Sequence, residues 1–310
     1  METGGPAAVV YAAENHNHAA ETLTAAMRGE VSAPAADAIL ARVCFANTVI
    51  GKMSGVVQAD ENLAPVTPGS ERAYLVEEFN RILISRIRFA GRAADFTRGI
   101  TVFDEKDDLL PFEEAKLYGH NALHAMAAYL GGLAGCRVMS ELTRVPGLLE
   151  MVRAAAIGET GAALVAKYAA LDKLFTPAGF AAYVDDLLVR MVNPWLRDEI
   201  VRVGRDPQRK LSWDDRLIGT MRLALDAGIE PAGFALGAAA ALKWMVPTAT
   251  TYPADTLAAL WQRPASDARR VAELERLVGQ GWTRLHEWLA EPPIASIGTT
   301  ASSISDSVSG

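Results

Sequence analysis

The order of hydrophobic and polar positions divides the chain into an N-terminal part with strand character and a longer part with helical character. Residues 7–13 carry no charge and residues 44–53 are rich in β-branched side chains, so each run is predicted to form a strand. The alanine-rich residues 18–27 are predicted to be helical. Residues 57–72 contain two prolines, a glycine and several acids, which predicts a loop. Residues 73–87 fit a strand or a helix, because periodicity does not distinguish the two in so short a run.

From Pro111 onward the pattern is helical. Helices are predicted over residues 112–131, over residues 148–170 and from Pro177 onward. The pair Gly131–Gly132 is predicted to end the first of them. Residues 212–215, Ser-Trp-Asp-Asp, resemble a capping box, which predicts a further helix beginning at Ser212.

These elements predict a mainly α fold. The strands at 7–13 and 44–53 are too few for a stable sheet. We therefore expect an α/β remnant over residues 1–103, the edge of an incomplete Rossmann-type domain whose other strands lie outside this chain. An all-α substrate domain is predicted over residues 104–292, and a disordered tail over residues 293–310, which are rich in Ser, Thr and Gly. No G-x-G-x-x-G stands between a strand and a helix, so the sequence carries no dinucleotide fingerprint.

Composition narrows the possible functions. The 310 residues include 37 acids against 30 Lys and Arg, a net charge of −7 that argues against a general nucleic-acid binder. The two cysteines, Cys44 and Cys136, are too few for a disulfide framework or a cysteine zinc site, so no metal is expected. No signal peptide and no membrane-spanning run is visible, which predicts a cytoplasmic protein with no membrane partner.

Four polar residues on the helix predicted at 112–131 are the strongest chemical signal. At ~100° per residue, Lys116, His120, Asn121 and His124 fall within less than half of the helix circumference, among residues that are otherwise apolar. Buried polar groups are costly unless they are paired. Two interpretations are open: these four side chains bind neighbouring protein groups, or they form a catalytic site. In such a site a buried Lys116 of lowered pKa is the general base. Asn121 donates a hydrogen bond to a substrate oxygen that gains charge, and His124 holds a substrate hydroxyl.

The same residues carry a family resemblance. Three stretches of the sequence resemble the polyol-specific long-chain dehydrogenases. They are the spacing Lys116-x4-Asn121-x2-His124, residues 193–211 followed by Asp-Arg-Leu at 215–217, and Glu-Asn at 14–15 after an apolar strand. Within that family the chain most resembles the mannitol-1-phosphate 5-dehydrogenases. The similarity runs from about residue 7 to residue 244, roughly three quarters of the chain.

The resemblance implies the substrate-binding and catalytic half of an NAD-dependent oxidoreductase. Such an enzyme oxidises a secondary hydroxyl of a hexitol or hexitol phosphate without a metal, giving a ketose or ketose phosphate. By resemblance Lys116 takes the hydroxyl proton, Asn121 and Asn15 stabilise the oxygen, and His124 and Lys210 bind substrate oxygens. The phosphate would be recognised by the cations Arg205, Arg209 and Lys210.

Two alternatives remain open from the residues. The cations of residues 197–216 stand among nearly as many acids, so they form either surface ion pairs or a phosphate site. Family members carry a nucleotide-binding domain before the counterpart of Asn15, which predicts either a separate nucleotide-binding polypeptide, a truncated gene product, or a non-catalytic module that binds a sugar phosphate or a partner. The paired acids Glu77–Glu78 and Glu113–Glu114 are expected on solvated helix faces.

Overall fold

The computed structural model describes residues 6–13, 17–60, 62–79, 81–90, 96–261 and 267–290. Their architecture is mainly α, as predicted: a small α/β layer is followed by a helical domain. In the α/β layer the helices α1 and α2 connect the first two strands. The described elements of this layer are β1 (Ala8–Ala12), α1 (Ala19–Glu30), α2 (Ala33–Leu40), β2 (Val43–Ile50), β3 (Ser54–Gln58), β4 (Arg72–Val76), β5 (Ile82–Ser85) and β6 (Phe103–Lys106).

Four of these strands form one mixed sheet in the order β1-β2-β5-β6. β1 is parallel to β2, β5 is antiparallel to β2, and β6 is parallel to β5. The expectation that the other strands of this sheet lie outside the chain is wrong for β5 and β6: β5, within the residues 73–87 that periodicity left open, pairs with β2, and β6 pairs with β5. The predicted loop at 57–72 is also partly wrong, because β3 and β4 form an antiparallel hairpin.

The helical domain is built around one long helix with a change of register inside it. The segment predicted at 112–131 is α3 (Leu110–Glu114), a π-helical turn (Ala115–Asn121, called here the π segment) and α4 (Ala122–Leu133). Its predicted end is wrong, because Gly131 and Gly132 lie inside α4. A Cβ at Gly132 would stand 2.3 Å from Trp244, so the glycine serves close packing and not helix termination.

The remaining helices enclose this long helix and complete the core. They are α5 (Leu148–Ala155), a second π-helical turn (Ala156–Gly161), α6 (Ala162–Lys167), α7 (Pro177–Met191), α8 (Ile200–Val203), α9 (Pro207–Lys210), α10 (Ile218–Asp226), α11 (Ala232–Met245), α12 (Ala254–Ala258) and α13 (Ala268–Ala290). Thr176 caps α7 through a bond from Gly179 N–H, as its Thr-Pro start predicts. The predicted capping box is wrong: Ser212 donates to the Arg209 carbonyl, and the helix begins at Ile218.

The core lies between α4, α11 and α13. α11 is buried along most of its length, and its small residues let neighbouring backbones approach closely. Gly237 faces Met126 of α4, and Gly281 of α13 stands against the backbone of Ala235. None of the helices in the described part of the chain is long and apolar enough to span a bilayer.

Three of the four paired acids do not lie on solvated faces, which corrects that expectation for all but the exposed Glu78. Glu77, just after β4, is buried and accepts a hydrogen bond from Met53 N–H. Glu113 and Glu114 of α3 are buried as well. Glu114 binds the Lys167 ammonium at 2.8 Å and the Tyr168 hydroxyl at 2.7 Å, so its charge is compensated inside the fold.

Candidate active site

A polar cleft of about 340 Å³ opens between the ends of β1 and β2, the long helix and the segment around α8 and α9. Six of the seven predicted site residues line it. They are Lys116, Asn121, His124, Arg205, Arg209 and Lys210. The seventh, Asn15, lies outside the described residues, while Ala13 near it lines the cleft.

The π segment positions two of these side chains, Lys116 and Asn121, together with His120. Lys116, His120 and Asn121 belong to it, and His124 follows one turn later in α4. A π-helical turn closes i→i+5 hydrogen bonds, and such turns are frequent at functional sites. The Tyr118 carbonyl in its centre accepts a bond from the buried Thr220 hydroxyl at 3.2 Å, which ties the segment to α10. The sequence predicted the clustering but not the π geometry.

Burial and neighbouring charge prepare Lys116 to accept a proton. Burial, then the charge of Arg216, lowers the pKa of Lys116 to about 8, against a smaller opposite effect of Glu113. His120 is fully buried, and its pKa is held well below the usual value by burial and by His124. A lysine of this kind is neutral often enough at mildly alkaline pH to serve as a general base.

Glu113 is a residue of the site that sequence reasoning missed. Burial raises its pKa to about 7, and the acids Glu21 and Asp108 add to the rise, whereas Lys116 opposes it. A buried carboxyl one turn before Lys116 therefore changes its charge near neutral pH and influences the lysine beside it.

His124 is linked to a buried carboxylate that sequence reasoning also missed. Its Nε2 lies 3.5 Å from Asp198 Oδ2, and Arg202 Nε donates to Asp198 Oδ1 at 2.9 Å. Burial alone would raise the pKa of Asp198, but the His124 and Arg202 contacts outweigh it and lower the pKa. Asp198 is therefore an anion beside His124, whose buried Nε2 makes no hydrogen bond within the described residues. Its i,i+4 spacing to Arg202 is the signal that could have revealed it.

The three predicted phosphate-binding cations differ in their surroundings. Lys210 is buried; its Nζ donates to the Arg205 carbonyl and lies 5.8 Å from the centre of the Tyr129 ring. Burial, then the charges of Arg216 and Arg209, lowers the pKa of Lys210 to about 8. Arg209 is bound to Asp206 at 2.9 Å and to Asp215 at 2.8 Å, so much of its charge is already compensated. Arg205 is exposed, and its side chain makes no ion pair within the described residues.

A second cavity of about 680 Å³ adjoins the cleft across Lys116 and His120. Its walls are mostly apolar and include Phe79, Leu83 and Phe112. The two side chains therefore stand between a charged compartment and an apolar one.

The described residues do not fit a dinucleotide at the first strand–helix connection. The N–H of Ala20 at the start of α1 is already bound by Asn47 Oδ1 at 2.7 Å. Glu21, in the first turn of α1, adds a negative charge at the helix start, which disfavours an anion there, and accepts a hydrogen bond from Asn47 Nδ2 at 2.8 Å. Among the described residues, no group of three or more His, Cys, Asp or Glu is placed to hold a metal ion.

Two solved structures share this fold. Pseudomonas fluorescens mannitol 2-dehydrogenase, in a ternary complex with NAD and D-mannitol, matches with a TM-score of 0.62 and 20% sequence identity over 93% of this chain. A D-sorbitol dehydrogenase in substrate-free form matches with a TM-score of 0.67 and 17% identity over 94% of this chain. The match covers 63% of each of those chains. Sequence identities this low show a shared fold and nothing further.

The family assignment rests on a separate match. Residues 108–278, more than half of the chain, match the model of the mannitol dehydrogenase C-terminal domain. The match includes the π segment, the cleft residues on α4 and the segment around α8 and α9. The resemblance to polyol dehydrogenases is thereby confirmed, and the chain belongs to the mannitol dehydrogenase C-terminal domain family.

Proposed function

We propose that this chain is the substrate-binding and catalytic half of an NAD-dependent polyol dehydrogenase that acts on a hexitol phosphate. The observation that supports this most directly is the joint presence of Lys116, Asn121, His124 and Lys210 in one cleft, with the pKa of Lys116 lowered to about 8. NAD would be bound by a segment or polypeptide outside the described residues, and it would accept the hydride.

The chain's own residues account for the proton and oxygen chemistry. Lys116 Nζ takes the proton of the secondary hydroxyl as its carbon becomes a carbonyl. The Asn121 amide donates a hydrogen bond to the oxygen that carries the developing charge, and Asn15 is proposed to do the same. His124, which lies beside Asp198, and Lys210 hold further hydroxyl oxygens and fix which carbon faces Lys116.

The charge of the cleft supports a phosphorylated substrate. Asp198 is the one carboxylate among the described residues that line it, and it is bound by Arg202. The cations that line the cleft are Lys52, Lys116, Arg202, Arg205, Arg209, Lys210 and Arg216. A compartment with this imbalance favours a polyol that carries an anionic group over a neutral one.

A non-catalytic module that binds a sugar phosphate is the second candidate. The same excess of cations favours it, because a phosphate would bind there whether or not a proton is transferred. The two candidates differ in Lys116, since binding alone does not require a neutral amine.

The deciding experiment combines this chain with a nucleotide-binding half of a polyol dehydrogenase and follows NADH formation from mannitol 1-phosphate and from mannitol. We expect turnover of the phosphate in the wild type, and a loss of ~10²–10⁴-fold for Lys116→Ala. Asn121→Ala should lower kcat by ~10²–10³-fold. The exposed Lys173→Ala is the matched control. Normal rates in Lys116→Ala would exclude the mechanism, and tight phosphate-ester binding without turnover would favour the non-catalytic module.

A further inference from the structure

Arg216 is a cation of the cleft that carries a buried donor without a partner within the described residues. It precedes α10 and is 9% exposed. Its Nε donates to Asp215 Oδ1 at 2.7 Å, but its Nη2 is buried and has no hydrogen-bond partner within the described residues. Buried guanidinium donors are normally bound, so an unbound one in the wall of a cleft indicates a place for an acceptor.

Three hydrogen bonds fix the backbone of Arg216 between the buried Lys210 and the half-buried Lys116. Leu217 N–H donates to the Lys210 carbonyl at 3.2 Å, which brings the residue before it alongside Lys210. The Thr220 hydroxyl contacts both the Arg216 carbonyl and the Tyr118 carbonyl of the π segment, which carries Lys116. The backbone position of Arg216 is therefore fixed, and Asp215 holds its guanidinium from one side.

Among the described residues that line the cleft, Asp198 is the one carboxylate. Asp215 holds Arg216 from beside it and is shared with Arg209, while Asp198 is bound by Arg202. The positive charge of Arg216 repels those of Lys116 and Lys210, and an anion bound among the three would relieve this repulsion.

We infer that Arg216, together with Lys210, forms the anion-binding end of the cleft and holds the charged group of the substrate through Arg216 Nη2. The ligand class is a polyol bearing a terminal phosphate or carboxylate. This assigns the main charge contact to Arg216 and not to Arg209, whose guanidinium is engaged by Asp206 and Asp215. Only the identification of the anion as part of the substrate rests on the proposed function.

Anion binding should be coupled to proton uptake. Arg216 faces Lys116 and His120 from the π segment, Tyr129 from α4, and Arg209, Lys210 and Asp215 from its own side. With the pKa of Lys116 and Lys210 near 8, part of each lysine is neutral at pH 8. A bound anion favours the charged forms, so binding at this pH should draw protons from the buffer.

The test is calorimetric titration of the full chain with inorganic phosphate, mannitol 1-phosphate, gluconate and mannitol. The variants are Arg216→Gln, Arg216→Lys and the control Arg222→Gln, whose guanidinium binds Asp214 at the surface at 2.7 Å. We expect Arg216→Gln to weaken binding of the preferred anion by tenfold or more, with mannitol unaffected and Arg222→Gln unchanged. Stronger binding of mannitol 1-phosphate than of gluconate identifies a phosphate, and the reverse order a carboxylate.

Titrations at pH 8 in two buffers of different ionisation enthalpy measure the proton uptake, which should shrink in Arg216→Gln. If that variant does not fold, Arg216→Lys must still weaken anion binding, because it lacks the planar fork. Equal anion affinity in wild type and the Arg216 variant that folds, or no anion binding by the wild type, would overturn the inference. Anion binding that depends on Arg216 without any turnover by the combined enzyme would instead count against the proposed function alone.

Discussion

Arg190 and Glu77 form a forked ion pair across the junction between the α/β layer and the helical domain. Arg190 Nε donates to Glu77 Oε2 at 2.8 Å, and its Nη2 donates to Oε1 at 2.6 Å. The same guanidinium donates to the Gly51 carbonyl and packs 4.0 Å from the centre of the Phe79 ring. One side chain of α7 thereby fixes the turn after β2, whose Lys52 lines the cleft.

Glu77→Gln should destabilise the chain, because it removes the buried one of the two carboxylates that bind Arg190 and leaves only the exposed Asp186. Removal of one member of a buried ion pair costs about 3–5 kcal/mol. We expect the lower end in urea unfolding, since glutamine still accepts one hydrogen bond. Glu78→Gln, an exposed neighbour, is the matched control. Equal unfolding midpoints for both variants would show that the pair does not hold the junction.

The same pair predicts a pH dependence. Burial would raise the pKa of Glu77, but the hydrogen bonds from Arg190 and Met53 outweigh it and lower the pKa. The stabilisation is therefore complete above the pKa of an unfolded glutamate, about 4.3, and is lost as the pH falls through the lower folded value. Urea unfolding of the wild type between pH 3 and 7 should show this loss, and Glu77→Gln should lack it.

Lys116 should react as an amine of lowered pKa even without substrate. Only a neutral amine is acylated, so we expect its acetylation rate to rise with pH and level off near pH 8. Exposed lysines, with a pKa ordinarily about 10.4, should continue to speed up beyond that pH. Peptide mapping after brief exposure to acetic anhydride measures each site. A Lys116 profile that coincides with the surface lysines would remove the physical basis for its role as base.

Glu113→Gln should shift that profile to lower pH. The charge of Glu113 raises the pKa of Lys116, so its removal lets burial and Arg216 lower the pKa further. Glu114→Gln is the control, because that carboxylate is bound by Lys167 and Tyr168. An unchanged Lys116 profile in Glu113→Gln would mean that the two groups do not interact.

The purified chain should not bind NAD in the micromolar range. The start of α1 already satisfies Ala20 N–H through Asn47 and carries Glu21, so a pyrophosphate would displace one contact and meet a like charge. Calorimetric titration with NAD measures this directly. Micromolar affinity would place a cofactor site on this chain and contradict the prediction.

Gly132→Ala should destabilise the fold although alanine favours helices. The new methyl group would stand 2.3 Å from Trp244 and 2.9 Å from Ile200, and overpacking of this kind costs ~1–3 kcal/mol. Gly29→Ala in α1 meets nothing within 4 Å and should stabilise by ~0.5–1 kcal/mol. Chemical denaturation measures the free energy of unfolding of both variants and so separates the cost of overpacking from the gain in helix propensity. A Gly132→Ala variant more stable than the wild type would refute the close contact.

Much of the site could be predicted from helical spacing and family resemblance, because both depend on residue order alone. The cleft positions of Lys116, Asn121, His124 and Lys210 are of this kind, although their roles stay predictions. The burial of Glu77 and Glu113 could not be predicted, since paired acids normally face solvent and only packing against distant segments encloses them. The sheet partners of β2 were missed for a similar reason: short strands show no decisive period, and pairing is fixed by contacts far apart in sequence.

The π segment also limits which insertions and deletions this region can accept during evolution. It holds one residue more than an α-helix would need to make the same turns, so a single deletion between Ala115 and Asn121 would leave a regular and intrinsically more favourable helix. The same deletion would leave the helices on either side in the same relative rotation, but it would change the backbone from which Lys116, His120 and Asn121 project into the cleft. A related chain that retains this cleft should therefore align here without a gap, even where its side chains differ.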